Sequence, residues 1–217
     1  MRAPGGGWLL WGWSWEARAP AWAVTDGWAG VLTLPREIHV DEDGMLRQEP
    51  AAELLALRGE HTVHAAGETH GPQPVDLGSV GRAFDLTARL EPTVDAGLRL
   101  LTDPDGSEYL DIRLDTEAGE LVVDREHASL DTRAHGGSYR MPCPTDRPVD
   151  LRVVVDHSIA EIFLTATGQV LTLRFYPTGQ GPWRLQARTA PGMRLGYEAD
   201  TWELHPLVIK EPSTGAA

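Results

Sequence analysis

Leu151-Arg152-Val153-Val154-Val155-Asp156-His157-Ser158-Ile159-Ala160-Glu161-Ile162-Phe163-Leu164 is the stretch on which the fold turns. Leu151, Val153 and Val155 recur at every second position, and Ala160, Ile162 and Leu164 do so again. Side chains alternate between faces along a strand, so a period of two marks strands with one buried face. Asp156 and Glu161 stand five apart, which on one continuous strand turns them to opposite faces. They share a face only if a turn intervenes, and His157-Ser158 is the place for it. We read both acids as structural, as edge charges that discourage sheet-to-sheet pairing.

Moving outward, the same alternation governs Phe84, Leu86, Ala88 and Leu90, and again Leu110, Ile112 and Leu114. Between these runs lie Asp103-Pro104-Asp105-Gly106, Glu117-Ala118-Gly119 and Thr167-Gly168, residues that preset or tolerate the backbone angles of tight reversals. Short strands with such turns predict an all-β, antiparallel sandwich over residues 61–207. Residues 49–60 read as a linker whose Ala51-Ala52-Glu53-Leu54-Leu55 forms the one helical turn, and residues 208–217 as a frayed tail. The front differs. Six of the eight tryptophans fall within the first 28 residues, and two strands are expected there, over Trp8–Trp15 and Gly30–Val40.

Among 217 residues, 41% are hydrophobic, enough for a real core. A formal charge of −13, with Lys210 the only lysine, argues against a nucleic-acid partner, because phosphate binding needs clustered cations. Cys143 is the sole cysteine, so no internal disulfide forms, and the absence of asparagine excludes N-glycosylation. Arg2, the apolar run after it and Ala21-Trp22-Ala23 imitate a secretory signal. That reading fits poorly, since the run is short, rich in tryptophan and broken by Gly12. With no stretch long enough to cross a bilayer, the expectation is a chain without membrane association, in the cytoplasm.

Several phrases carry a resemblance. They are Leu10-Trp11-Gly12-Trp13; Gly27-Trp28-Ala29-Gly30-Val31-Leu32-Thr33-Leu34-Pro35-Arg36-Glu37; Leu46-Arg47-Gln48-Glu49-Pro50; Val155 to Phe163; and Val170-Leu171-Thr172-Leu173-Arg174-Phe175-Tyr176-Pro177. In this order they resemble glycoside hydrolase family 32, the invertases, sucrose-phosphate hydrolases, levanases and inulinases. The resemblance implies hydrolysis of β-fructofuranosidic bonds in sucrose, its phosphate or fructans, with no cofactor. It also implies a lectin-like sandwich preceded, over residues 1–48, by the last partial blade of a five-bladed catalytic β-propeller. The family's Trp-x-Asn-Asp-Pro-Asn-Gly, Arg-Asp-Pro and Glu-Cys motifs carry its catalytic acids, and none can be written from these residues. The chain is therefore expected to be inactive alone. A split or truncated gene, a misassigned start at Met1 and a piece cut from a longer enzyme all fit. The alternative is a non-catalytic sugar-binding or structural module that braces a separate catalytic partner. Expected partners are a propeller half or a second copy of the chain.

The candidate site residues are few. Retaining glycosidases need two carboxyl groups about 5 Å apart. Asp41-Glu42-Asp43-Gly44 and Asp103-Pro104-Asp105 read instead as solvated turn acids, and no catalytic residue is assigned. His61 and His64, three apart in a strand, should face opposite ways, so no metal site is expected. Cys143, between Pro142 and Pro144, reads as a lone packed thiol. The resemblance maps a tryptophan bordering the fructosyl pocket onto Trp13, where an indole face can stack on sugar C–H groups. Trp11, Trp15 and Trp28 read as blade packing.

Overall fold

Strand formation begins at the front of the chain with short, tryptophan-rich pieces; the computed structural model describes residues 1–2, 7–91 and 93–206. These pieces are β1 (Trp8–Leu10), β2 (Trp13–Ser14), β3 (Val31–Leu32), β4 (Arg36–Val40) and β5 (Leu46–Pro50). Each of the two long strands expected here is interrupted. Trp11-Gly12 separates β1 from β2, and Thr33-Leu34-Pro35, whose proline lacks a ladder donor, separates β3 from β4. β1, β4 and β5 form a three-stranded sheet, and β2 pairs with β3. Between β2 and β3 lies α1 (Pro20–Asp26), which the sequence reading did not foresee. Its signals are local: Pro20 in the first turn, and Gly27 closing the end with φ of 76°. A 3-10 helix, Ala52–Leu57, leads out of β5.

Twelve further strands follow: β6 (Arg58–His70), β7 (Val75–Val80), β8 (Ala83–Leu90), β9 (Ala96–Thr102), β10 (Leu110–Asp115), β11 (Glu120–Asp124), β12 (Ser138–Pro142), β13 (Val149–Asp156), β14 (Ile159–Leu164), β15 (Gln169–Arg174), β16 (Trp183–Arg188) and β17 (Arg194–Leu204). They make two six-stranded antiparallel sheets, ordered β12-β11-β10-β9-β16-β7 and β15-β14-β13-β8-β17-β6. The chain is thus an all-β antiparallel sandwich carrying a small N-terminal unit. The alternating residues supply its core: Phe84, Leu86, Ile112, Leu114, Val153 and Ile162 are fully buried. Each such side chain contributes about 1.5–3 kcal/mol through burial. Gly97 of β9 lies so close to β10 that an added Cβ would sit 1.9 Å from the Ile112 carbonyl oxygen.

In the β13–β14 hairpin, Asp156 pairs with Ile159, so His157 and Ser158 are the turn, where the sequence placed it. His157 takes φ of 53° to make it. Asp156 and Glu161 consequently share the outer face of their sheet. The edge-charge role holds for neither strand's position in the sheet, and Glu161 overturns it outright. β14 lies one strand in from the edge, and Glu161 is 0% exposed. Every residue of β14 is buried, because its outer face is covered by the N-terminal unit through β5.

Candidate functional site at the junction of the two parts

Two carboxylates hold the N-terminal unit to the sandwich. Leu34 N–H donates to Glu161 Oε1 at 2.6 Å, and Arg36 donates through Nε and Nη2 to Oε2 at 2.9 and 2.6 Å. Arg36 also reaches Gln48 Oε1 at 3.2 Å and the Thr172 hydroxyl. Burial pushes the Glu161 carboxyl above its usual range, although the Arg36 charge and the Leu34 N–H pull it down. The second carboxylate is Glu16. Its Oε1 accepts from Gly30 N–H at 2.8 Å and Arg174 Nη1 at 3.0 Å, its Oε2 from Arg18 Nε at 2.7 Å and the Tyr176 hydroxyl at 2.8 Å. Partial burial raises the Glu16 pKa, but these hydrogen bonds and charges outweigh it and hold the group below its ordinary value. Arg18 lies 4.9 Å from the ring centres of both Trp22 and Trp28, adding cation–π attraction.

Beside this junction is a cavity of about 450 Å³, between the 3-10 helix and the outer face of β8 and β13. Leu34, Leu54, Leu57, Val154 and Leu204 give it apolar walls. At its floor Asp85, 1% exposed, accepts from Arg58 Nε at 2.8 Å and from Arg152 Nε and Nη2 at 3.0 and 2.7 Å. Buried Glu108 is also fully engaged, by the N–H groups of Leu130, Thr178 and Gly179 and by the Thr178 hydroxyl. Glycoside cleavage needs one carboxyl free to attack and another kept protonated. Every carboxylate oxygen of Glu16, Asp85 and Glu161 accepts from a guanidinium, backbone N–H or hydroxyl, so the arrangement fastens elements together and leaves these acids no unengaged oxygen for chemistry.

Each residue singled out in the sequence has a definite place in the structure. Trp13 is 56% exposed, with its indole over Gly30, where an added Cβ would meet the ring at 2.5 Å. Trp8, Trp11, Trp15 and Trp28 are also exposed, so the tryptophans expected to be packing do not form a core among the described residues. Asp41 and Asp103 are turn acids: Asp41 accepts from the N–H groups of Asp43 and Met45, and Asp103 from the Glu108 N–H and the Ser107 hydroxyl. Cys143 is buried, and burial pushes its thiol to about 11, which keeps it protonated. His61 and His64 do not face opposite ways, as strand parity had required; both reach Asp200 Oδ1. A bulge reverses the parity, since Val63 pairs with Thr201 while His61, two residues back, pairs with Trp202. Sequence reasoning also missed Glu16, Arg36 and Asp200. Each stands among other charged residues in the sequence, so only its partners in the folded chain single it out.

Similarity to known proteins now bears on this geometry. The fold and junction define a two-part all-β protein, an antiparallel sandwich fastened to a small N-terminal unit. Residues 53–198 match the model described as glycosyl hydrolases family 32 C terminal, and the chain belongs to that family. It is 26% identical over 212 residues to a fructan 1-exohydrolase of Bromus pictus, covering 78% of this chain and 35% of the relative. It is 30% identical over 157 residues to a sucrose-6-phosphate hydrolase of Vibrio alginolyticus, covering 71% of this chain and 29% of the relative. The chain thus spans about a third of the length of these relatives. The fold is also that of fructan 1-exohydrolase IIa from Cichorium intybus, with TM-score 0.80 and 17% identity over 94% of this chain and 47% of that one.

Proposed function

We propose that the chain is the non-catalytic, sandwich-bearing part of a β-fructofuranosidase-type glycoside hydrolase. In the complete enzyme, O-glycosyl bonds of sucrose, sucrose phosphate or fructans would be cut by acids that these 217 residues do not carry. On this reading residues 1–48 belong to the last blade of the catalytic propeller, residues 49–60 link it to the sandwich, and the sandwich from 61 onward braces it. One observation carries the proposal. The N-terminal unit is fixed to the sandwich through Glu16 and Glu161, while its Trp8, Trp13 and Trp15 stay exposed. A propeller blade is stabilised by its neighbours, and such a face is what an adjoining blade would cover. Trp13 is then the residue of this chain nearest the sugar.

Incubating the purified chain with sucrose, sucrose phosphate, inulin and levan should release no fructose above buffer. Adding a separately expressed propeller half that carries the three missing motifs should restore turnover. Restored turnover should fall in Trp13→Ala. Fructose release by the chain alone, abolished by a mechanism-based fructosyl inhibitor, would refute the proposal.

A further inference from the structure

His61, His64 and Asp200 come together on the outer face of the sandwich, away from the junction. β6 is the edge strand there and β17 its neighbour. Thr62 and Val63 together oppose Thr201, and the Thr62 hydroxyl lies 2.8 Å from the Thr201 hydroxyl. That extra residue converts a spacing of three into the same-face spacing of two, so both imidazoles point at one carboxylate. His61 Nε2 lies 2.9 Å and His64 Nδ1 2.7 Å from Asp200 Oδ1, and one donor atom from each residue fits within 4.8 Å of the others.

The His61 ring is held in place by its neighbours. His61 stacks on Trp202 with centroids 4.8 Å apart and planes 9° from parallel. Trp202 is in turn covered by the Arg58 guanidinium at 3.7 Å, and Arg58 is tied to Asp85 at 2.8 Å. His64 and Asp200 are paired across the ladder. The side chains of His61, His64 and Asp200 are 42%, 77% and 29% exposed, which leaves the cluster open to an ion and to water.

We propose that His61, His64 and Asp200 form a binding site for a divalent transition-metal cation of the zinc class. Two neutral imidazoles and one carboxylate are a borderline donor set suited to zinc, cobalt or nickel and poor for calcium or magnesium, which take oxygen ligands. Three protein ligands leave the fourth tetrahedral position for water. Metal–nitrogen bonds of about 2.0–2.1 Å place tetrahedral ligand atoms roughly 3.3 Å apart, so the two imidazole–carboxylate spacings open by about half an ångström while the two ring nitrogens, within 4.8 Å of each other, settle around the ion. The exposed His64 ring can supply that by rotation. The site spans the edge strand and its neighbour, so an ion there would also clamp β6 to the sheet.

The test is calorimetric titration of zinc chloride into the full 217-residue chain, repeated with cobalt chloride under visible absorption. The expected result is one site per chain, with cobalt bands of four- or five-coordination. His64→Ala and Asp200→Asn should each weaken zinc binding about tenfold or more, on the scale that disturbing a metal's surroundings produces. His39→Ala and His157→Ala, which alter exposed histidines elsewhere, should leave it unchanged. Thermal melts of the metal-free variants establish that they fold, and His64→Ala removes only an exposed ring. Zinc should raise the melting temperature of the parent and not that of His64→Ala. A parent chain that binds no zinc, or a folded His61→Ala/His64→Ala variant that binds it as tightly as the parent, would overturn the site.

Discussion

Glu161 joins two parts of the chain through one buried carboxylate, and its surroundings dictate what each substitution does. A glutamine there would turn an amide donor toward either the Leu34 N–H or the Arg36 guanidinium, leaving a buried cation uncompensated. Glu161→Gln should therefore cost about 3–5 kcal/mol in chemical denaturation of the junction. Arg36→Met combined with Glu161→Leu should recover most of it, since apolar replacements of a buried pair are often neutral. A double variant whose loss equals the sum of the Arg36→Met and Glu161→Leu losses would show the pair to be uncoupled. Glu16 predicts a pH effect. Its folded pKa is depressed, so its contribution is present above the unfolded value of about 4.3 and is lost as pH falls through the folded value. Glu161 acts with the opposite sign, because its folded value is raised and its contribution fades as pH rises through it. Acidification below about pH 4 should loosen the N-terminal unit and shift the fluorescence of Trp22 and Trp28. Glu16→Gln should flatten that response, and an unchanged acid transition in the variant would place its origin elsewhere.

At the scale of elements, the strands of the sandwich follow the period-two pattern because each has one face on a shared core. β14 departs from a half-polar pattern for a reason outside itself: Glu161 and Phe163 are covered by the N-terminal unit. β6 departs through its bulge, and α1 through end signals too short to stand out from the apolar run around them. β9 and β10 show the tightest constraint. At Gly97 any side chain meets the backbone of β10, with the Ile112 carbonyl oxygen 1.9 Å from the added Cβ. Gly97→Ala must push two central strands apart, and should cost roughly 3 kcal/mol, the upper range of overpacking. In a melt of the isolated chain this should appear as a fall of several degrees or more. A wild-type melting temperature would mean that the strands yield at that point without loss.

At the scale of the whole molecule, the N-terminal unit both covers part of the sandwich and leaves apolar surface of its own uncovered. It covers Phe163 and the carboxylate of Glu161, yet exposes Trp8, Trp13, Trp15, Leu32 and Leu46. Exposed apolar area of this kind is a surface suited to association. Deleting residues 1–48 should raise the monomer fraction in sedimentation. It should also lower the melting temperature of the sandwich by a few degrees, because uncovering Phe163 forfeits about 1.5–3 kcal/mol of burial. A full chain that sediments as a clean monomer at all concentrations would show that the exposed tryptophans are tolerated.

Local physics determined much of this protein directly from sequence. Alternation, turn residues and the spacing across His157-Ser158 specify antiparallel strands, and an apolar face that must be buried on run after run specifies the sandwich. The ordered phrases from Leu10 to Pro177 were enough to place it in its family. Parity and exposure along a single strand were not enough for the sites. Whether Glu161 is an edge charge or a buried anchor depends on Arg36, 125 residues away in the chain. Whether His61 and His64 diverge or converge depends on one unpaired residue in a ladder whose other strand begins at Arg194. Such contacts are set by which strands become neighbours and in what register, and that is decided only when the whole chain packs.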